Sequence, residues 1–376
     1  MTTTSRRIAF IVPFLHRCQR GIERSCVNLA NALADLSHEV SLLAWEERPA
    51  RASFALHPRI RVFRVPYFRY YRSRVAIPFY TLDLLVSGYE VVNVFFAGYG
   101  EAQAIRFARR FHHFQVNFIV GYPVEQVPHR FEEFHRLKLE PLLDNVIVKS
   151  SPMAPAVENY FARDVKVIPN GVDVCYFHLH KIDKDELRRG FGFSPTDHVL
   201  LTVAALEERK GIQHVIRALP GLLQAGYSVH YFVVGDGPYR NVLEALADEC
   251  RVGERVHFIG AVTDVRPYYG VADIFLLLSY GEGFPNVLLE AWAMALPTVV
   301  SKHPPYPSIV SPEFGVAVDE ENRAELKVVL VDLLDAIGKR QRMGHAARLY
   351  VKKNYSWRTI AQTYLDVFAA ADAQPG

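Results

Sequence analysis

The chain has 376 residues, half of them hydrophobic, with a formal net charge of +3. That length suits two domains with separate cores, and no apolar run approaches the roughly 20 residues of a membrane-spanning helix. Cys18, Cys26, Cys175 and Cys250 are scattered with no C-x-x-C pair, which excludes a disulfide framework or zinc motif and fits a reducing, cytoplasmic setting.

Charge is unevenly spread: residues 1–180 carry a net +6 and the remainder a net −3. The excess concentrates in HPRIRVFRVPYFRYYRSR (57–74), which holds six arginines and no acid. One reading is a solvated loop and strand edge. The other is a surface, Arg59–Arg74, that docks on anionic lipid at the inner face of a membrane or on an anionic acceptor. No nucleic-acid-binding motif accompanies it, so nucleic acid is not the expected partner.

In chain order, strands and helices alternate throughout, the pattern of parallel α/β sheets. RRIAFIVPF (6–14) reads as a first strand, since a signal peptide needs a longer apolar region and a small-residue cleavage site. Residues 21–38 have helical apolar spacing at Val27, Leu29, Ala30, Leu33 and Leu36. Strands follow at 39–45, at 59–66 (alternating, exposed) and at 89–96, then a helix at 101–111. Strands at 115–123, 145–151 and 164–171 complete this half. PNGVDVCYF (169–177) changes character and marks a junction. The second half repeats the alternation, with strands at 198–206, 229–238, 255–262, 272–279 and 298–301 and helices at 210–226 and 240–250. The tail from Arg323 is largely helical, with a break near NYSW (354–357).

The segment SYGEGFPNVLLEAWAMALPT (279–298) is the most informative. It reads as the end of a buried strand, a glycine turn and a helix start. Gly283 lets backbone approach a ligand, Pro285 fits the first helical turn, and the N–H groups beyond Phe284 and Asn286 favour an anion. Glu282 stands at the mouth and Glu290 in the second turn; carboxylates accept well from sugar hydroxyls. Upstream, TVAALEERKG (202–211) also follows a strand. Arg209 and Lys210 offer a planar fork and a point charge to a diphosphate. Cations are disfavoured at a helix start, a conflict that a bound anion resolves. There is no D-x-D, no metal-spaced His/Asp cluster and no G-x-G-x-x-G, so neither a metal nor a nicotinamide cofactor is expected.

The E-x7-E pattern in EGFPNVLLEA, followed by A-x-A-x-x-P-T-V-V, resembles the donor-sugar signature of retaining glycosyltransferases of the GT-B fold, family 4 (glycosyl transferases group 1). The NGVD turn, TVAALEERKG, GDGP (235–238) and FIGAV (258–262) follow in the family's order. The resemblance implies two Rossmann-like domains with parallel sheets facing across a cleft. Residues 1–168 would form the acceptor-side domain, with helix 358–376 packing back on it, and 169–357 the nucleotide-sugar-binding domain. It further implies that Gly235 lies in the turn beside the nucleotide and that the backbone near Val262 reads the base. Gly21, within Arg20-Gly21-Ile22-Glu23, would face the donor phosphates.

Three departures stand out. Ala205 occupies the position of a phosphate-binding Arg, which Arg209 would replace. Arg20 replaces one glycine of a Gly-Gly pair. Val120 matches the His found beside the reacting sugar, and His16, His112, His113 and His129 are spare histidines.

The implied activity is retaining transfer of a sugar from a nucleotide-diphosphate donor such as a UDP- or GDP-sugar. Glu282, Lys210 and Arg209 would be catalytic, and the acceptor a carbohydrate, a lipid-linked sugar or a small metabolite. The alternatives are a sugar phosphorylase or epimerase of the same fold, or a non-catalytic nucleotide-sugar-binding or membrane-surface protein.

Overall fold

The computed structural model describes residues 5–12, 21–46, 55–66, 76–95, 99–121, 138–178 and 183–372. Of the positions raised above, His16, Cys18, Arg20, His129 and Arg69–Arg74 lie outside them. Two compact units emerge. One comprises Met1–Gly171 with Trp357–Gly376, and the other is Val172–Ser356.

In the first unit seven strands form one sheet: β1 (Arg7–Ile11), β2 (Glu39–Glu46), β3 (Arg61–Pro66), β4 (Val91–Val94), β5 (Gln115–Val120), β6 (Asn145–Val148) and β7 (Lys166–Val167). Their order is β3-β2-β1-β4-β5-β6-β7, and every pairing is parallel. The inner strands are Val/Ile/Phe runs buried on both faces, as a sheet covered by helices on both sides requires. Helices Gly21–Asp35 and Trp357–Asp372 cover one face, packing Leu29, Leu33, Tyr364 and Phe368 on Ile8, Phe10 and Leu42. Helices Ala76–Val86, Tyr99–Ala108 and Ala154–Phe161 cover the other, through Tyr80, Leu84, Ile105 and Phe161.

The second unit has six strands: β8 (His198–Val203), β9 (Val229–Val234), β10 (Val256–Gly260), β11 (Ile274–Leu277), β12 (Thr298–Ser301) and β13 (Gly315–Val318). They are all parallel, in the order β10-β9-β8-β11-β12-β13. This is the doubly wound Rossmann order, in which ligands bind outside the carboxyl ends of the strands where the winding reverses, here between β8 and β11. Helices Ile212–Gln224, Arg240–Glu249 and Arg323–Asp335 pack one face, and Asn286–Ala293 and Ile337–Asn354 the other, around the fully buried Trp292. At the opposite, amino edge, the Asp273 carboxylate binds Arg188 and Lys184 and accepts from the Val199 amide. This anchors the starts of β8 and β11. Both sheets and their helices match the α/β class expected from the alternation.

Several elements fall in stretches that periodicity leaves unassigned. Helix Ala76–Val86 is apolar on every side, with Phe79, Leu82 and Val86 exposed, so it carries no 3.6-residue contrast. Helices Ala154–Phe161, Lys184–Gly190 and Arg266–Val271 and strand β13 are all eight residues or shorter, too brief to show a period.

A polar seam runs beneath helix Trp357–Asp372. Asn93, Asn117 and Asn145 are aligned across β4, β5 and β6. Asn145 donates to Asn117 at 2.8 Å and Asn117 to Asn93 at 3.2 Å. Gln115 donates to the Phe368 carbonyl at 2.7 Å. Lys149, following β6, is buried and donates to the Tyr364 hydroxyl at 2.9 Å. Burial pushes its ammonium down to about 7, because the interior disfavours charge.

The unfolded lysine titrates near 10.4, so between pH 7 and 10 the unfolded chain holds the extra proton and stability rises with pH. Cys26, whose buried thiol is pushed up, gives the opposite slope at higher pH. The comparison is therefore confined to pH 7–8.5. Across that window the wild-type unfolding free energy should climb by up to about 1.4 kcal/mol per pH unit more than that of Lys149→Met. Parallel pH profiles in urea titrations would show that Lys149 stays charged in the folded state.

Candidate functional site

The site grows from the reversal between β8 and β11. After β8 the chain passes Ala204 to Glu207 and enters a single 3-10 turn, Glu208–Lys210. Arg209 and Lys210 therefore lie ahead of the helix, which begins only at Ile212, and the expected conflict with a helix start does not arise. The residue between is Gly211, with φ of +70°; a Cβ there would lie 2.1 Å from the Leu278 carbonyl oxygen. Only glycine tolerates both conditions, and the result is that the turn after β8 rests directly on the end of β11.

The loop after β11 is fixed from both sides. The Tyr280 amide donates to the Arg209 carbonyl at 3.0 Å. The buried Ser279 carbonyl accepts from Ser301 at 2.6 Å, and the Ser279 hydroxyl bonds the Tyr306 hydroxyl. Burial, with the Glu282 carboxylate beside it, pushes the Tyr306 phenol well up, so it stays neutral.

Within this loop Gly281 takes the left-handed conformation, with φ of +71°. Pro285 is the residue before the helix, at φ −81° and ψ 108°, rather than in its first turn, and Asn286 is the first helical residue. Phe284 is a core side chain whose ring lies 5.7 Å from that of Tyr355, so only its backbone is available to a ligand.

These contacts bring the three predicted catalytic residues together. Glu282 Oε1 accepts from Lys210 Nζ at 2.5 Å and from Arg209 Nη1 at 3.1 Å. Lys210 and Glu282 have only 12% and 14% of their side-chain surface exposed. Arg209 also donates through Nε to Glu207 at 2.7 Å. The guanidinium is thus shared by two carboxylates, and the four charges balance. Sequence reasoning missed Glu207, whose role depends on the tight turn.

Glu290 lies in the second turn of helix Asn286–Ala293 and is 7% exposed. Its Oε2 accepts from the Tyr269 hydroxyl at 3.0 Å, which directs the carboxylate toward the element following β10. Tyr269 carries no sequence signal, being one aromatic in a short helix.

Gly235 and Val262 lie after β9 and β10, at the same carboxyl edge. Gly235 has a packing reason to be glycine: φ is +134°, its Cβ would lie 1.9 Å from the Ala204 carbonyl oxygen, and its amide donates to Gly260 at 2.9 Å. Val262 is half-buried against the core. Ala205 is exposed.

In the first unit, Gly21 opens helix Gly21–Asp35, which follows β1, and its carbonyl accepts from Ser25 at 2.7 Å. Val120 ends β5 with its side chain in the core, so that position offers no polar group. Among the described residues, no cluster of three or more His, Cys, Asp or Glu is placed to hold a metal ion.

Two family models match the chain. "Glycosyltransferase Family 4" covers residues 19–175 and "Glycosyl transferases group 1" covers 183–350. A GDP-mannose-dependent monoacylated alpha-(1-6)-phosphatidylinositol monomannoside mannosyltransferase of Corynebacterium glutamicum is 30% identical over 53% of this chain and 55% of its own. The alpha-monoglucosyldiacylglycerol synthase of Streptococcus pneumoniae is 25% identical over 62% of this chain and 54% of its own. The matches thus span about half the length of these curated relatives. The crystal structure of Anabaena HepE with UDP and glucose superposes with a TM-score of 0.77 at 18% identity, over 97% of this chain and all of the other. With two doubly wound units, family models matched across both and a GT-B neighbour spanning the whole, the chain belongs to the GT-B glycosyltransferases of the family 4 type.

Proposed function

We propose that the protein transfers a hexosyl group from a nucleoside-diphosphate sugar to an acceptor hydroxyl, with retention of anomeric configuration. The observation that carries this reading is the convergence of Lys210 and Arg209 on Glu282, at the reversal between β8 and β11. Breaking the anomeric C–O bond leaves negative charge on the diphosphate. Lys210 and Arg209 meet that charge as it develops, Lys210 from a largely water-excluded position where such groups act most strongly.

When the diphosphate takes the cations, Glu282 is freed to accept from sugar hydroxyls. Glu290, oriented by Tyr269, holds the ribose hydroxyls, and the backbone at Gly235 and Val262 flanks the base. The backbone at Gly283, Phe284 and Asn286, leading into the helix, adds amides. The acceptor oxygen attacks the face that the leaving group vacates, and a phosphate oxygen takes its proton. The cations supply the charge that a divalent metal supplies elsewhere, so transfer proceeds in EDTA.

The relatives' names point to two nucleotides, GDP in the mannosyltransferase and UDP in HepE, so both are the donors to test. With a panel of UDP- and GDP-sugars, one donor should hydrolyse slowly and transfer faster with an acceptor. Lys210→Ala should lower kcat/KM about 10²–10³-fold. Arg209→Ala should cost less, its guanidinium being already shared with Glu207. Activity within twofold of wild type in Lys210→Ala would sink the assignment. Unchanged transfer after EDTA is expected; loss restored by a divalent ion would remove the metal-independent reading. Proton NMR of the first product should show an α-linkage from an α-linked donor, and a β-linkage would rule out retention.

We further propose a cytoplasmic enzyme acting on a glycolipid at an anionic membrane surface. The support is chemical. Phe79, Leu82 and Val86 expose an apolar stripe along helix Ala76–Val86, and Phe107 and Phe111, in ring contact at 5.2 Å, expose another beside Arg110 and His113. The arginine-rich segment ends just before the first helix. Its described members, Arg59, Arg61 and Arg64, are all exposed; Arg59 donates to the Ala34 carbonyl and Arg61 pairs with Asp83. Two of the relatives act, by name, on lipid-linked substrates. Neutral phosphatidylcholine vesicles should bind the protein weakly and vesicles with anionic lipid strongly. Leu82→Asp with Phe111→Asp should reduce that binding about tenfold. Equal sedimentation with both vesicle types, unaffected by the substitutions, would refute it.

A further inference from the structure

Along the carboxyl edge of the second sheet the strand ends run β10, β9, β8, β11, β12, β13. The reading above uses the first four in order: base, base, phosphates, sugar. The next end, about 5 Å further on, belongs to β12, and it carries a group that reading leaves unused. His303 follows β12, and its Nε2 lies 2.6 Å from Glu320 Oε1 in the loop after β13. The carboxylate is 9% exposed and the imidazole 48% exposed, so a buried acid holds an imidazole that faces outward.

The Tyr280 ring, also 48% exposed, meets His303 edge-on at 5.9 Å. Tyr280 is two residues before Glu282, and its amide is bonded to the Arg209 carbonyl. The aromatic is therefore fixed to the turn that carries the phosphate-binding cations. The segment after β12 is also tied to helix Arg323–Asp335 by Lys302–Glu325 at 2.9 Å, and to the end of β13 by the Lys302 amide on the Val318 carbonyl at 2.9 Å. The His303–Glu320 pair adds to these contacts rather than being the sole tie there.

A half-exposed aromatic face beside a few oriented polar groups is what a small-molecule pocket presents to a ligand with one apolar face and directed hydroxyls. A pyranose is such a ligand. We propose that Tyr280 and His303 form the end of the donor site that discriminates the hexose, contacting it beyond the hydroxyls held by Glu282. Glu320 is the positioning residue that sets the imidazole. The assignment rests on the donor reading above.

The test is calorimetric binding of UDP and GDP, and of UDP-glucose, UDP-galactose and GDP-mannose. The proteins are wild type, His303→Ala, Tyr280→Ala, Glu320→Gln and the His303→Ala/Glu320→Gln double variant, all at unchanged Tm. Free nucleotides should bind every variant within twofold. The preferred nucleotide-sugar should weaken about fivefold to tenfold in His303→Ala, the scale of one lost hydrogen bond, and the preference between the two C4 epimers should shrink. Glu320→Gln should move the same quantity and add nothing in the double variant, which a merely structural carboxylate would not do. A wild type that binds a sugar donor, with His303→Ala and Tyr280→Ala equal to it, overturns this inference alone. A wild type that gains no affinity from any sugar overturns this inference and the donor assignment together.

Discussion

The carbonyl oxygen of Leu278 occupies the place where a side chain at position 211 would begin. That contact governs the second unit. With any other residue at 211 the turn Glu208–Lys210 must lift from the end of β11, and Lys210 and Arg209 lose Glu282. The same device recurs one strand over, where a Cβ on Gly235 would meet the Ala204 carbonyl and one on Gly237 the Leu206 backbone. Loop is stacked on loop at the carboxyl edge by backbone contact. The glycines that look like openings for a ligand are in part what allows the loops to touch one another.

Close stacking has an electrostatic consequence. Lys210 and Glu282 are mostly withdrawn from water, and an unpaired ammonium there would carry a desolvation cost of several kcal/mol. The carboxylate removes that cost while keeping the cations in place. Under the proposed function it also makes binding an exchange: phosphate oxygens replace one carboxylate oxygen, and the displaced carboxylate turns to the sugar. Glu207 sharpens the division of labour. Because Arg209 is held from both sides, it fixes the turn as well as adding charge, whereas Lys210, bonded to Glu282, is the more readily transferred cation.

Much of this was legible in the sequence, and the reasons are specific. The strands are Val/Ile/Leu runs too long and too apolar to be loops, and their alternation with amphipathic helices fixes a parallel α/β plan. Glu282, Lys210 and Arg209 were readable because each follows such a strand within a few residues, where a doubly wound sheet places its site. Helix Ala76–Val86 was hidden because its exposed face is as apolar as its buried one. Pro285 falls one residue before the helical turn expected for it, since the start of the helix is set by the exact course of the loop, which composition does not encode. Glu207, Tyr269 and the His303–Glu320 pair were out of reach because their partners come from turns whose geometry only packing determines.

The first unit shows why residue type alone misleads. Lys149, three aligned asparagines and Gln115 are the kind of buried polar residues that suggest chemistry. All lie beneath helix Trp357–Asp372, and the lysine and glutamine bond directly to it. Conversely Val120, at a strand end where the family places a polar side chain, points into the core. Function in this architecture follows position along the carboxyl edge more than chemical identity. Under the proposed function, a charged residue at the end of β8 or β11 acts because loops there must leave the sheet in opposite directions. An equally polar residue under a helix is consumed in seating that helix. The same reasoning makes His303 informative: it is an ordinary histidine by composition, but it stands at the next strand end along the edge, oriented by the buried Glu320 carboxylate.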